Sequence, residues 1–231
     1  EPLGGGFTRS RLPLPSVPMP LPCLLMSALF LGMFAQTSLA KEEVMPWNRH
    51  PGMSGASAAI FLDAGRVVVA SDEDNRLRVY DPSTSQPAIT AWDASPWLHL
   101  SGRNLECDLE GAARVGNRIY WIGSHGRNKD GKYRSNRHRF FATEVTETPQ
   151  GPQLRIIGTP CSTLVTALLT NAALASLHLD TAAALPPDSK GGLSIEALAA
   201  RPDGSLWIGF RGPLAKGKAL LMPLLNPNAV L

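Results

Sequence analysis

Residues 108–123 read D-L-E-G-A-A-R-V-G-N-R-I-Y-W-I-G, and residues 195–209 read I-E-A-L-A-A-R-P-D-G-S-L-W-I-G. The separation from Glu110 to Gly123 equals that from Glu196 to Gly209, 13 positions in each case. The shared frame is an acid, small residues, a turn, and a strand ending Ile-Gly. A repeat of that kind points to small β units that each need a neighbour to bury their apolar face, so it decides the architecture before composition does.

The rest of the chain reads as strands that fit that frame. Ala58–Leu62, Arg66–Ser71 and Arg76–Asp81 follow one another across the turns Asp63-Ala64-Gly65 and Asp72-Glu73-Asp74-Asn75, and Ala88–Trp92 supplies a fourth strand. The alternation of Arg76-Leu77-Arg78-Val79-Tyr80 marks a strand with one polar face. A second unit holds Leu109–Val115, Arg118–Gly123, Arg139–Val145 and Leu154–Ile157, with an excursion from Ser124 to His138. A third runs Leu193–Ala200, Ser205–Phe210 and Lys218–Met222, turning through Gly212-Pro213. Between the last two, Ser162 is a candidate N-cap, and Leu164, Val165, Leu168, Leu169 and Ala172 recur at helical spacing, so residues 162–180 read as one inserted helix.

The expected fold is therefore all-β: propeller-like blades of four antiparallel strands, about three of them, with one inserted helix. Blades fall at about 55–95, 106–158 and 193–231, within a partial propeller over 55–231. Tyr120, Trp121 and Trp207 read as packing between blades. Three blades do not close a ring. The lack of an initial Met and the stop after an open third unit lead us to expect a piece of a longer product rather than closure by association.

Composition agrees. Twenty-one Gly and 20 Pro suit many short strands joined by turns, and 44% hydrophobic residues is ordinary for a globular chain. A net charge of +3 without a concentrated basic face sets nucleic acid aside. Arg9 and Arg11 precede the apolar run Cys23–Phe34, and Ser38-Leu39-Ala40 offers a cleavage site, so 1–40 reads as an export signal with flank. Residues 41–54 are a lead-in. We expect a periplasmic or secreted protein with no membrane span after cleavage. An oxidising compartment allows Cys107 and Cys161 to pair, and two cysteines alone leave that bridge open.

The segments D-L-E-G-A-A (108–113), W-I-G-S-H-G-R-N-K-D-G-K (121–132), S-N-R-H-R-F-F-A-T-E-V (135–145), I-E-A-L-A-A-R-P-D-G (195–204) and I-G-F-R-G-P-L (208–214) resemble the bacterial domain-of-unknown-function family 3616. The resemblance covers roughly residues 55–225 and implies an exported, propeller-like fold. It supplies no activity. Where its second copy has Glu-Gly, this chain has Glu196-Ala197.

In an antiparallel blade the start of the first strand and the end of the second share an edge. That places Asp108, Glu110, Glu196, Asp72, Asp74, His125, Arg127 and Arg211 on one channel face. Glu110, Glu196, Asp72 and Asp74 are candidate metal ligands of the oxygen-rich kind that suits calcium or magnesium, and the Glu-small pattern is similar to a metal ligand of gluconolactonase-like propellers. The plainer reading makes each glutamate a clasp on backbone amides of the neighbouring blade. Asp72-Glu73-Asp74-Asn75 lacks the spacing of a calcium loop and also reads as a solvated turn. Arg127, Lys129 and Arg137 in the basic excursion, with Arg211, are candidates to hold a phosphate or carboxylate, or else to pair with the nearby acids. His125 or Asp108 is the candidate base, and His125 is equally a structural histidine.

No Gly-x-Ser-x-Gly, phosphate-binding loop, dinucleotide fingerprint or His-Glu-x-x-His occurs. Two functions remain. One is a scaffold whose channel face binds a small anionic ligand or a protein partner. The other is a metal-dependent hydrolase of an ester, lactone or phosphoester.

Overall fold

The computed structural model describes residues 47–231. The expected export signal and the first part of the lead-in lie outside the described residues. Among the described residues, eleven strands form three antiparallel sheets. The first contains β1 (Ala56–Asp63), β2 (Arg66–Ser71), β3 (Arg76–Tyr80) and β4 (Thr90–Asp93) in chain order. The middle sheet contains β5 (Leu109–Val115), β6 (Arg118–Gly123), β7 (Phe140–Thr148) and β8 (Gly151–Cys161), again in order. The third is β9 (Ser194–Ala200), β10 (Leu206–Ala215) and β11 (Lys218–Leu224). The strand β5 packs against both β1 and β9, so the first strands of the three sheets stand side by side. The fold is all-β and propeller-like.

The middle sheet is buried on both faces, which accounts for the unbroken apolar run in β6. Ile119 and Trp121 join Leu109 and Phe141 in a core shared with Val68, Leu77 and Val79 of the first sheet. Tyr120 and Ile122 join Phe140 and Ala142 in a second core with Ile195, Leu206, Ile208 and Phe210 of the third. Successive side chains of a strand point to opposite faces, so alternate residues serve alternate cores. Trp121 Nε1, carried into this apolar layer, donates to Thr143 Oγ1 at 3.0 Å, which removes the cost of a buried donor.

Each inner strand carries one extra residue near its start. Register slips by one between Ala56 and Ala58, between Leu109 and Gly111, and between Ala197 and Ile195. The bulged residues are thus Ser57, Glu110 and Glu196. A bulge bends the strand and re-aims its side chain, and here the same device recurs at the same edge of all three sheets. Gly111 follows the middle bulge because β9 passes too close for any side chain: a Cβ there lies 2.8 Å from the Leu198 nitrogen.

Register also corrects the sequence alignment. Gly123 pairs with Leu109, ahead of the bulge, whereas Gly209 pairs with Ala197, after it. The second hairpin takes one more residue in its turn, so Ile-Gly occurs in both copies without being structurally equivalent. A one-residue slip reverses the face of every side chain. Trp207 consequently occupies the position of Tyr120, on the outer face of the third sheet, half-buried under Arg201 at 4.9 Å rather than packed between sheets. Its cross-strand neighbours Ala199 and Pro223, with Ala197 and Leu221, make that face apolar and open among the described residues.

Other expectations change in detail. The insert is not one helix: α1 (Leu164–Thr170) and α2 (Leu179–Ala183) flank a 3-10 segment, Ala172–Leu177. Asn171 interrupts the first by accepting from the Ala173 amide at 3.0 Å, and His178 adopts a left-handed φ of 50° before the second. Thr163, not Ser162, stands at the N-cap, without a side-chain capping bond. Gly212-Pro213 lies inside β10 rather than at a turn. Cys107 and Cys161 are free, one in each apolar core, so the bridge does not form. Among the described residues no helix is long and apolar enough to cross a membrane.

Replacing Gly111 by Ala must push β5 and β9 apart, and is expected to cost about 1–3 kcal/mol of stability. Gly65, whose added Cβ meets nothing nearer than 3.8 Å, should accept Ala within about 0.5 kcal/mol. Urea unfolding of the two variants checks the contrast.

Candidate functional site

The bulges at Glu110 and Glu196 open onto one polar cavity of about 630 Å³ at the edge where the inner strands begin. Asp72, Asp108, Glu110 and Glu196 line it, together with Lys129, Arg137 and Arg211. Seven of the ten residues singled out from the sequence therefore converge. Asp74, His125 and Arg127 do not line this cavity.

The edge is built by backbone ties between sheets. Asn75 donates to Leu105 O at 2.7 Å and accepts from the Cys107 amide at 2.9 Å, which fixes the segment entering Asp108. The Ser124 amide donates to Asp108 O at 2.9 Å, and the Ile195 amide to Ser124 O at 2.8 Å, joining the middle and third sheets. Gly123 has room for neither a side chain nor a shift: a Cβ would lie 2.5 Å from Arg137 O and 2.6 Å from Cys107 O. Asp108 takes a left-handed φ of 55°. Such a conformation is uncommon, and aspartate tolerates it better than most residues.

Asp72-Glu73-Asp74-Asn75 does not act as one ligand loop. Asp74 turns away, accepting from both terminal guanidinium nitrogens of Arg78 at 3.0 and 2.7 Å. Asn75 is the tie just described. Asp72 remains at the cavity, with its Oδ1 buried and without a hydrogen bond. That oxygen fills the space beside Gly55, where a Cβ would lie 2.0 Å away.

Two arginines neutralise part of the acid. Arg137 pairs with Glu106 and, at 2.9 Å, with Asp108. Arg211 pairs with Asp188 at 3.0 Å and with Glu196 at 3.4 Å, while Glu196 also accepts from Ser194 Oγ at 2.8 Å. Glu110, on the middle bulge, has no such partner among the described residues. Burial, then the charges of Glu196, Asp108 and Asp72, push its carboxyl up to about 8, with Arg211 the one opposing influence. Burial also raises Asp108 to about 6, against a hydrogen bond from Ser124 and the charge of Arg137. Among the described residues neither glutamate accepts a backbone amide from its neighbouring sheet, Glu196 accepting from Ser194 Oγ instead, so the clasp does not form there.

The excursion after β6 divides its cations. Arg139 is spent on the carbonyls of Leu98, His99, Ser135 and His138, and Arg127 on those of Ala183 and Gly131. Lys129 and Arg134 reach the cavity without an ion pair among the described residues, and Arg134 Nε is buried and unbonded. Sequence reasoning did not select Arg134, Glu106, Asp188 or Asn128. Arg134 carried a signal as part of the basic run; Glu106 and Asp188 had none, because each is recruited by an arginine distant in sequence. Among the described residues no group of three or more His, Cys, Asp or Glu side chains is disposed to hold a metal ion.

No family model matches the chain. No curated protein matches it either. Among solved structures it is similar to glutaminyl cyclase of Myxococcus xanthus, at 14% identity and a TM-score of 0.36, over 68% of this chain and 52% of that one. It is also similar to the PQQ-bound form of aldose sugar dehydrogenase from Streptomyces coelicolor, at 10% identity and a TM-score of 0.32, over 76% of this chain and 44% of that one. The chain thus spans about half the length of these proteins or less. Likeness at this level says nothing of chemistry, and the fold stands on strand order and register alone.

Glu110 has a clear pH signature. Its folded carboxyl binds a proton up to about pH 8, whereas an unfolded glutamate releases it near 4.5. The folded state therefore holds the extra proton between those values, and stability falls as pH rises through that window. Glu110→Gln should remove this fall and be more stable than the native chain at pH 8.5, with little difference at pH 4.5; thermal melts at both pH values check it.

Proposed function

We propose that this is an exported propeller-like scaffold whose channel face binds a small dipolar ligand. The observation that carries this reading is the charge left over at the mouth. After Arg137 and Arg211 have paired, Asp72 and Glu110 remain without partners, Glu110 holding below about pH 8 a proton that a bound cation would displace, and Lys129 and Arg134 remain as donors, around one cavity among the described residues. A ligand with one cationic and one anionic end offsets both surpluses. Half-buried charges interact more strongly than exposed ones, so the interior acids and Arg134 set the orientation. Such a ligand extends the small anionic ligand expected from the sequence by adding a positive end. The likeness of the sequence segments to family 3616 supports the same scaffold and adds no substrate.

A metal-dependent hydrolase is the second reading, favoured by one observation. Asp108, left-handed at the cavity edge and raised to about 6, has the shifted acidity that marks acid–base groups. Glu110 and Glu196 would supply oxygen ligands for calcium or magnesium after a local rearrangement. His125 takes no part, because it lines a different cavity.

Calorimetric titration with 6-aminohexanoate, hexylamine and hexanoate separates the terms of the first reading. The dipolar probe should bind about tenfold tighter than either single-charge probe, equivalent to about 1.4 kcal/mol. Glu110→Gln should remove its advantage over hexanoate, and Arg134→Gln its advantage over hexylamine. Equal affinity for all three contradicts the reading. Stoichiometric binding of calcium alone, lost in Glu110→Gln, would put the hydrolase first.

A further inference from the structure

The channel mouth has a side recess of about 160 Å³, and Arg134 lines both spaces. One wall of the recess is segment 101–104, ahead of β5, and the other is segment 133–136 of the basic excursion. Glu106 and Arg137, paired with each other, also line both spaces.

One buried side chain ties the two walls. Asn136, 4% exposed, accepts from the Ser101 amide at 3.2 Å and donates to the carbonyls of Ser101 and Asn104 at 2.8 and 2.6 Å. Asn104 Oδ1 in turn accepts from the Glu106 amide at 3.1 Å. Two backbones held at a fixed separation in this way lose little freedom when a ligand settles between them.

The recess is rich in donors that have nothing to donate to. Arg103 is exposed and makes neither an ion pair nor a hydrogen bond among the described residues. Arg134 is half-buried: its Nε is enclosed, beyond the reach of a ligand, whereas the terminal nitrogens keep open surface and have no acceptor among the described residues. The hydroxyls of Ser101, Tyr133 and Ser135, all on exposed residues, are equally free there. Against these donors stands one carboxylate, Glu106, and Arg137 already occupies it.

Such a surface calls for a ligand group that only accepts. A carboxylate offers two oxygens in one plane, enough for a single guanidinium fork, and leaves the second arginine unanswered. A phosphate monoester offers three terminal oxygens and a charge of about −1.5 to −2 near pH 7, which two forks and the hydroxyls can share. The recess is well below the range of about 300–1,000 Å³ usual for a whole ligand, so it takes one such group while the rest of the molecule lies in the mouth.

We propose that the recess is a phosphate-monoester subsite, with Arg103 and Arg134 reaching in from the two walls, and that the ligand of the channel mouth is a phosphorylated amine. The second half rests on the dipolar reading above; the first stands without it.

Methyl phosphate, dimethyl phosphate, acetate, inorganic phosphate and 6-aminohexyl phosphate are the probes, titrated into the full chain by calorimetry near pH 7 with ³¹P NMR alongside. Methyl phosphate should bind saturably, about tenfold tighter than acetate or dimethyl phosphate. Its second ionisation should move down on binding, because the guanidinium groups favour the dianion. Arg103→Gln should remove the preference; the residue is exposed and unbonded, so the substitution leaves the fold intact. Glu110→Gln should leave methyl phosphate binding unchanged. In the native chain 6-aminohexyl phosphate should bind about tenfold tighter than methyl phosphate, a gain that vanishes in Glu110→Gln. Equal affinity for methyl phosphate and acetate, or a preference that survives Arg103→Gln, overturns the subsite. Inorganic phosphate binding more tightly than methyl phosphate overturns the ester in favour of the free ion. A phosphate preference without any gain from the amine overturns the phosphorylated amine and the dipolar reading together, while the subsite stands.

Discussion

One extra residue at the start of each inner strand shapes everything that follows in this molecule. An unbroken strand would send Glu110 and Glu196 toward the faces of their sheets, where the apolar cores lie. The bulges at Ser57, Glu110 and Glu196 turn those side chains to the edge instead, and small residues let the inner strands close ranks behind them. Gly111 is the clearest instance, pressed against the backbone of β9. The spacing of strands and the placement of acids are thus one constraint.

That constraint gathers more acid than the edge can neutralise. Arg137 and Arg211 each bridge two carboxylates, which leaves the middle glutamate facing three acids within electrostatic reach. Bringing like charges together costs stability, and such arrangements concentrate at sites that bind or react. The basic excursion answers the acids only in part. Half of its arginines are consumed in holding backbone carbonyls, and those tethers give Lys129 and Arg134 a fixed rim to stand on.

Sheet order was legible in the sequence because alternation and turn chemistry act locally: Asp63-Ala64-Gly65 closes a hairpin by its own side chain, whatever surrounds it. The edge location of Glu110 and Glu196 was legible from the repeat. Less was visible where tertiary contacts choose among local options. Trp207 changed faces because one extra turn residue slips the pairing, and no periodicity within β10 reports that slip. His125 follows a strand end, yet a left-handed backbone turns its ring into a separate cavity. Asp74 sits in an acidic run, yet Arg78 four residues on captures it. The insert looked like one helix because its apolar spacing continues through Ala172, whereas Asn171 and His178 break the backbone.

Carbon-detected NMR titration of the Glu110 carboxyl, in the native chain and in Glu196→Gln, tests the central claim most directly. A midpoint near 8 that falls in Glu196→Gln is the expected result, since burial and the neighbouring charge are named as its causes. A midpoint near the ordinary 4.5, unmoved by that substitution, would mean that the bulges do not bring these carboxylates together.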